Sequence, residues 1–162
     1  MTSSAPSSSD DRQVIQLPLD EGLICLRGLS PRRLRFEVEY GLERGTCHNS
    51  FLFGGSPAVL VHPPGEAFAA PFLGTLRQLV PQDQALTVVL GDVNPNRVAL
   101  LQQLLAEWPQ LQLVASNAGA KLLQELWGRR KPSPEAEANT KPMPPLPPIQ
   151  VVKAEEVLPL AA

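Results

Sequence analysis

The residues of this chain best suited to chemistry lie in Gly91-Asp92-Val93-Asn94-Pro95-Asn96-Arg97, directly after the short apolar run Leu86-Thr87-Val88-Val89-Leu90. The loop is built like a metal-site loop with the metal ligands missing. Asn94 can cap a following helix through its side-chain oxygen, Pro95 suits the first helical position, and Val98, Leu101, Leu104, Leu105 and Trp108 recur on one helical face. The loop is therefore predicted at the C-terminal end of a strand, where α/β proteins tend to place chemistry, because the strand holds it rigid and the helix N-terminus offers free N–H groups. The spacing is neither that of a Walker loop nor GxGxxG, so a nucleotide site is not indicated.

Few other side chains could join it. The chain has two histidines, His48 and His62, in separate segments, so a histidine-rich dinuclear site is not expected from it. His62 precedes Pro63-Pro64-Gly65-Glu66 at a strand end topologically close to the Asp92 loop, and His62 with Glu66 are candidate site-lining residues. His48 follows Cys47, but neighbouring strand residues point to opposite faces and do not readily share one ion, so a polar contact at a strand end is expected. Cys25 and Cys47 lack a CxxC spacing and read as two half-buried thiols in a reducing cytoplasm.

The elements that must position these residues follow from the pattern. Apolar and polar residues alternate over Val14 to Leu17, Leu23 to Arg27 and Arg35 to Tyr40, with breakers at Pro18, Gly28, Pro31 and Gly41. These predict antiparallel strands. Asn49 to Phe53 and Ala58 to His62 form a hairpin about Gly54-Gly55-Ser56-Pro57. A helix from Glu66 to Leu79 follows, starting or kinking near Pro71. Strand Leu86 to Leu90, helix Pro95 to Trp108, strand Leu111 to Ala115 and a helix from about Ala118 to Trp127, with Leu122, Leu123 and Leu126 as its apolar set, complete the alternation. Trp108 and Trp127 near helix ends are explained by packing.

Residues 128–148 change character, with prolines at 132, 134, 142, 144, 145, 147 and 148. A disordered, polyproline-like insertion is expected there, with docking to a proline-binding domain the less favoured alternative. Ile149-Gln150-Val151-Val152 and Val157-Leu158-Pro159-Leu160 read as one strand and the start of another. The expected organisation is a disordered tail over 1–12, the N-terminal half of an α/β domain over 13–127, the insertion over 128–148, and further strands of the same domain over 149–162, with the chain truncated.

Composition narrows the function. With 162 residues, 43% of them hydrophobic and a net charge of -2, one domain with a modest core is expected, and there is no basic surplus for nucleic acid or an anionic membrane. No run approaches membrane-spanning length, and the Ser-rich opening lacks the features of a secretory signal.

Four stretches in order carry a family likeness: Arg33 to Leu42, Gly45-Thr46-Cys47-His48-Asn49-Ser50-Phe51-Leu52, Pro63 to Glu66, and Gly91 to Arg97 with Ser116-Asn117-Ala118-Gly119-Ala120. Together they resemble the first half of the metallo-β-lactamase-like domain of flavodiiron proteins, particularly the cyanobacterial-type diflavin flavoproteins, over roughly residues 12–127 and again from about Ile149. The resemblance implies an α/β fold of the αβ/βα type, present here as the first half of its sandwich. It also implies oxidoreductase and electron-transport chemistry, the reduction of oxygen to water, or of nitric oxide in some members, with NAD(P)H, FMN and a diiron site. No flavin-binding domain is in the chain, and the family's His-x-Glu-x-Asp-His motif falls on Asp92, Asn94, Asn96 and Arg97. Only Asp92 suits iron, since Asn is a weak neutral ligand and Arg97 brings a permanent cation where an imidazole is needed.

A catalytically inert chain with no metal, flavin or nicotinamide of its own is therefore expected. Asp92 and Arg97 carry opposite charges and could pair across the loop, with the helix N-terminus favouring an anion such as chloride; Arg97 as an exposed first-turn residue is the alternative. The resemblance further implies a homo- or hetero-oligomer with a ligand-complete family member. A non-catalytic interaction module acting through an uncovered sheet or the proline-rich stretch is the second functional reading, and a metal-dependent hydrolase fails on the same missing ligands.

Overall fold

The computed structural model describes residues 11–31, 45–129 and 144–159. Among the described residues seven strands form one sheet whose spatial order follows the chain: β1 (Gln13–Asp20), β2 (Leu23–Ser30), β3 (Thr46–Phe53), β4 (Ala58–Val61), β5 (Leu86–Val89), β6 (Leu111–Ser116) and β7 (Ile149–Val152). Neighbours from β1 to β4 are antiparallel and those from β4 to β7 are parallel. The change of direction coincides with the change in sequence pattern, because a hairpin can return in a few residues whereas a parallel step needs a crossover. Helices α1 (Ala69–Leu79), α2 (Pro95–Glu107) and α3 (Asn117–Trp127) supply the three crossovers.

Same-handed crossovers that advance in one direction along a sheet bring their helices to the same face. The register there sets Ile24, Leu52, Leu60, Val88, Leu113 and Ile149 side by side across β2 to β7. This row packs in one core with Phe72 and Leu76 of α1, Leu101 and Leu104 of α2, and Leu123 of α3. On the opposite face the row is Leu17, Cys25, Phe51, Val61, Val89 and Val114, which lies outside that core, with Cys25 and Val114 buried.

Several expectations change in detail. Pro18 does not end β1, which runs on to Asp20 with a register shift between Pro18 and Asp20; at a sheet edge the missing proline N–H leaves no ladder bond unmade. The helix expected from Glu66 opens as a 3-10 turn over Glu66–Phe68 and becomes α-helical at Ala69, which puts Pro71 in the first turn, where its N–H is not needed. On α3 the buried residues are Ala120, Leu123 and Trp127, while Leu122 is exposed. Cys25 is buried but Cys47 is exposed, not half-buried. Residues Val157–Pro159 are irregular and form no strand.

The strand expected at Arg35–Tyr40, the tail over 1–10 and the stretch 130–143 lie outside the described residues. The end of the proline-rich stretch is described, and it is ordered by contacts. Pro147 is buried, the Trp127 Nε1–H donates to the Pro144 carbonyl at 3.0 Å, and the Leu113 N–H donates to the Pro148 carbonyl at 3.2 Å. Trp108 is likewise buried, its indole N–H donating to the Pro81 carbonyl at 3.1 Å.

Candidate functional site

The loop between β5 and α2 is positioned from both ends. Leu90 donates its N–H to the Val114 carbonyl of β6, and Asn94 caps α2 by accepting the Arg97 N–H at 2.9 Å on its side-chain oxygen. Pro95 follows at the first helical position. The Asn94 amide also donates to Asp92 Oδ2 at 3.2 Å, so both ends of this side chain are committed to holding the loop.

Arg97 lies inward and is only 6% exposed, although it occupies the first turn of a helix. Its Nη1 donates to the Asp92 carboxylate and, at 3.0 Å, to the Asp92 carbonyl. The guanidinium therefore bends back over the loop and neutralises Asp92 from within. Burial pushes the Asp92 carboxyl up, but the Arg97 hydrogen bond and charge, with smaller contributions from His62 and Asn94, outweigh it and hold the group below its ordinary value. Arg97 Nε is buried without a hydrogen-bond partner.

The structure brings both histidines to this loop. His62, just past β4, has φ +59, and its Nδ1 stands 3.5 Å from Asp92 Oδ1. The antiparallel register that sets Phe51 opposite Val61 carries the start of β3 alongside it, so His48 Nε2–H and Ser50 Oγ–H both donate to the His62 carbonyl at 2.9 Å. The two imidazoles stack with centroids 4.8 Å apart. Burial lowers the pKa of each histidine, opposed in His48 by its bond to His62, and the positive Arg97 adds to the lowering in both. A neutral pair is the form that tolerates stacking beside a guanidinium.

His62 thus lines the loop, and His48, treated in sequence as a separate strand-end contact, belongs to the same cluster. The signal that places it is the hairpin: a turn centred on Gly54 to Pro57 folds residues 48–50 onto 62. Glu66, with Asn96, borders a groove of about 310 Å³ whose other lining residues are Pro95, Val98, Leu126 and Arg129.

As a donor set the cluster is a poor fit for iron. Its carboxylate is engaged by a permanent cation, the Asn94 oxygen is spent on the helix cap, and the His48 Nε2 proton is spent on a carbonyl. Among the described residues, no group of three or more His, Cys, Asp or Glu side chains is gathered to hold a metal ion.

A mixed sheet lined by helices, with the Asp92 loop following a parallel strand, has the fold of the N-terminal part of a metallo-β-lactamase-like domain. No family model matches the chain. Diflavin flavoprotein A 3 of Synechocystis sp. is 41% identical over 155 residues, which are 96% of this chain and 24% of that protein. Among solved structures, the metal-soaked Flv1 flavodiiron core from Synechocystis sp. PCC6803 is similar at a TM-score of 0.73 and 36% identity, covering 91% of this chain and 33% of the other. Fragment 1-254 of diflavin flavoprotein A 5 from Nostoc sp. PCC 7120 is similar at 0.75 and 32%, covering 93% of this chain and 54% of the other.

The chain belongs to the flavodiiron protein family, of which it carries the N-terminal part of the metallo-β-lactamase-like domain. It spans 18–24% of the length of the curated relatives it matches. No helix among the described residues is long and apolar enough to cross a membrane.

Proposed function

We propose that this chain is a non-catalytic member of the flavodiiron family, in which the iron-binding loop has become a self-neutralising ion pair, and that it acts as an interaction module with a ligand-complete family member in the cytoplasm. The family chemistry, reduction of oxygen to water with electrons passed from NAD(P)H through FMN to two irons, would then belong to the partner. The observation that carries this reading is the buried Arg97 guanidinium on Asp92. A divalent iron brought to this carboxylate would have to displace a fixed positive charge and strand it in a site with little solvent.

Assembly with a relative is supported by the sheet face opposite the helices, where half-buried Leu17, Phe51, Val61 and Val89 form an apolar row that runs through the buried Cys25. The test is metal analysis of the purified chain with its oligomeric state recorded on the same sample. Less than a tenth of an equivalent of iron or zinc is expected, together with stoichiometric association with a ligand-complete diflavin flavoprotein. Metal near one equivalent per chain overturns the inert-loop reading, and failure to associate overturns the module.

A further inference from the structure

The groove of about 310 Å³ is bordered by the 3-10 turn, the first turn of α2 and the end of α3. Pro95, Val98 and Leu126 make it apolar, and Arg129, Glu66 and Asn96 complete the lining. Leu122, one turn before Leu126 on α3, is 40% exposed and extends the apolar strip. The Arg129 guanidinium and the N-terminal end of α2 are positive, and Glu66 is negative. An occupant matched to this lining presents an apolar side chain flanked by charges of both signs, with a carboxylate for Arg129.

The chain carries such a segment. After β7 it turns at Lys153–Glu156, where the Lys153 N–H donates to Glu156 Oε2 at 2.8 Å and the Glu156 N–H donates to the Lys153 carbonyl at 3.3 Å. Val157 follows at 91% exposure, the highest of the large hydrophobic side chains among the described residues. Lys153 and Glu155 beside it are exposed as well. An apolar side chain held clear of its own chain, on a turn already closed by two hydrogen bonds, loses little freedom when it docks.

We propose that Val157 of one copy of this chain seats in the groove of a second copy, against Pro95 and Leu126, with Glu155 paired to Arg129 and Lys153 turned to Glu66. Each copy bears both the plug and the groove, so the exchange is reciprocal about a two-fold axis. A second copy is selected by charge, because the signs along Lys153–Val157 answer those of the lining. The inference uses neither the Asp92–Arg97 pair nor the outer sheet face, and so stands apart from the reading above.

Sedimentation equilibrium of the whole chain is expected to show monomers and dimers in exchange. Val157→Asp, Arg129→Glu and Glu155→Lys should each weaken the dimer about tenfold, and Arg129→Glu combined with Glu155→Lys should restore it to within about threefold of the parent. All three positions are exposed, so the thermal midpoints should stay close to that of the parent. A chain that is monomeric up to about 1 mM overturns the proposal. So does a dimer indifferent to Val157→Asp, or one that the charge exchange does not recover. A photo-crosslinking side chain at position 157, in a mixture of chains labelled with light and heavy nitrogen, locates the contact without relying on these variants. Crosslinks from one copy to residues 95–98 or 126–129 of the other are expected, and crosslinks confined to single copies or to other surfaces overturn the assignment.

Discussion

At the scale of single residues, Asp92 and Arg97 are unequal partners, because the guanidinium is buried while the Asp92 side chain is 54% exposed. Removing either has a different consequence. Asp92→Ala removes the carboxylate from a buried cation, leaving the residue-92 carbonyl as its acceptor among the described residues, and is expected to cost about 1–3 kcal/mol, the lower part of the range for a broken buried pair, since solvent reaches the carboxylate side. Arg97→Met replaces the charge by an apolar chain of similar length and should fall within about 1 kcal/mol of the parent. Urea denaturation at neutral pH measures both, and equal losses would show that the guanidinium is itself a stabilising group. The histidines set the pH response. Both are lowered, so the unfolded chain takes up their protons first, and stability should decline as pH falls through the ordinary histidine range near about 6.5. Asp92, also lowered, contributes stability that is present above the ordinary carboxylate range and lost as pH falls through it. Thermal denaturation from pH 7.5 to 3 should therefore show a descent in two steps, and a His48→Gln, His62→Asn variant should lose the upper one.

At the scale of elements, the two caps of the parallel half are separable from the site chemistry. Asn94→Ala and Ser116→Ala each remove a side-chain acceptor from a first-turn N–H, Arg97 in one case and Gly119 in the other, and each should cost about 1 kcal/mol. Only the Asn94 change should also alter the pH profile, because Asn94 donates to Asp92. Gly28→Ala tests the packing of the 3-10 turn on β2: an added Cβ would stand 2.9 Å from the Phe68 ring, so a loss of about 1–3 kcal/mol is expected in the same denaturation experiment. What could be read in advance divides along the same line. Strand, breaker, cap and helix follow one another in residues 86–127, and each is a local signal, so β5, α2, β6 and α3 were legible from sequence. The proximity of His48 to His62 was not, because it depends on hairpin register and not on local composition. Nor was the inward turn of Arg97, since a charged first-turn residue ordinarily faces solvent and only the nearby carboxylate reverses that. The docking of Pro144 on Trp127 carried no periodicity at all.

At the scale of the whole molecule, the two sheet faces differ in kind. One is covered by three helices, and the other bears the apolar row through Phe51, with Phe53, two residues further along β3, 43% exposed. Phe53→Lys should reduce binding of an environment-sensitive hydrophobic dye while leaving the thermal midpoint nearly unchanged, and an unchanged dye signal would show that this face is not the accessible one. The order of the strands has a consequence for how the chain is made. In the described sheet each strand lies beside the one synthesised before it, from β1 to β7, and no later strand has to insert between two earlier ones. A ribosome delivering this chain would extend the sheet outward at one edge, with every newly emerged strand meeting a finished neighbour, so the antiparallel half can be in place before the Asp92 loop leaves the exit tunnel.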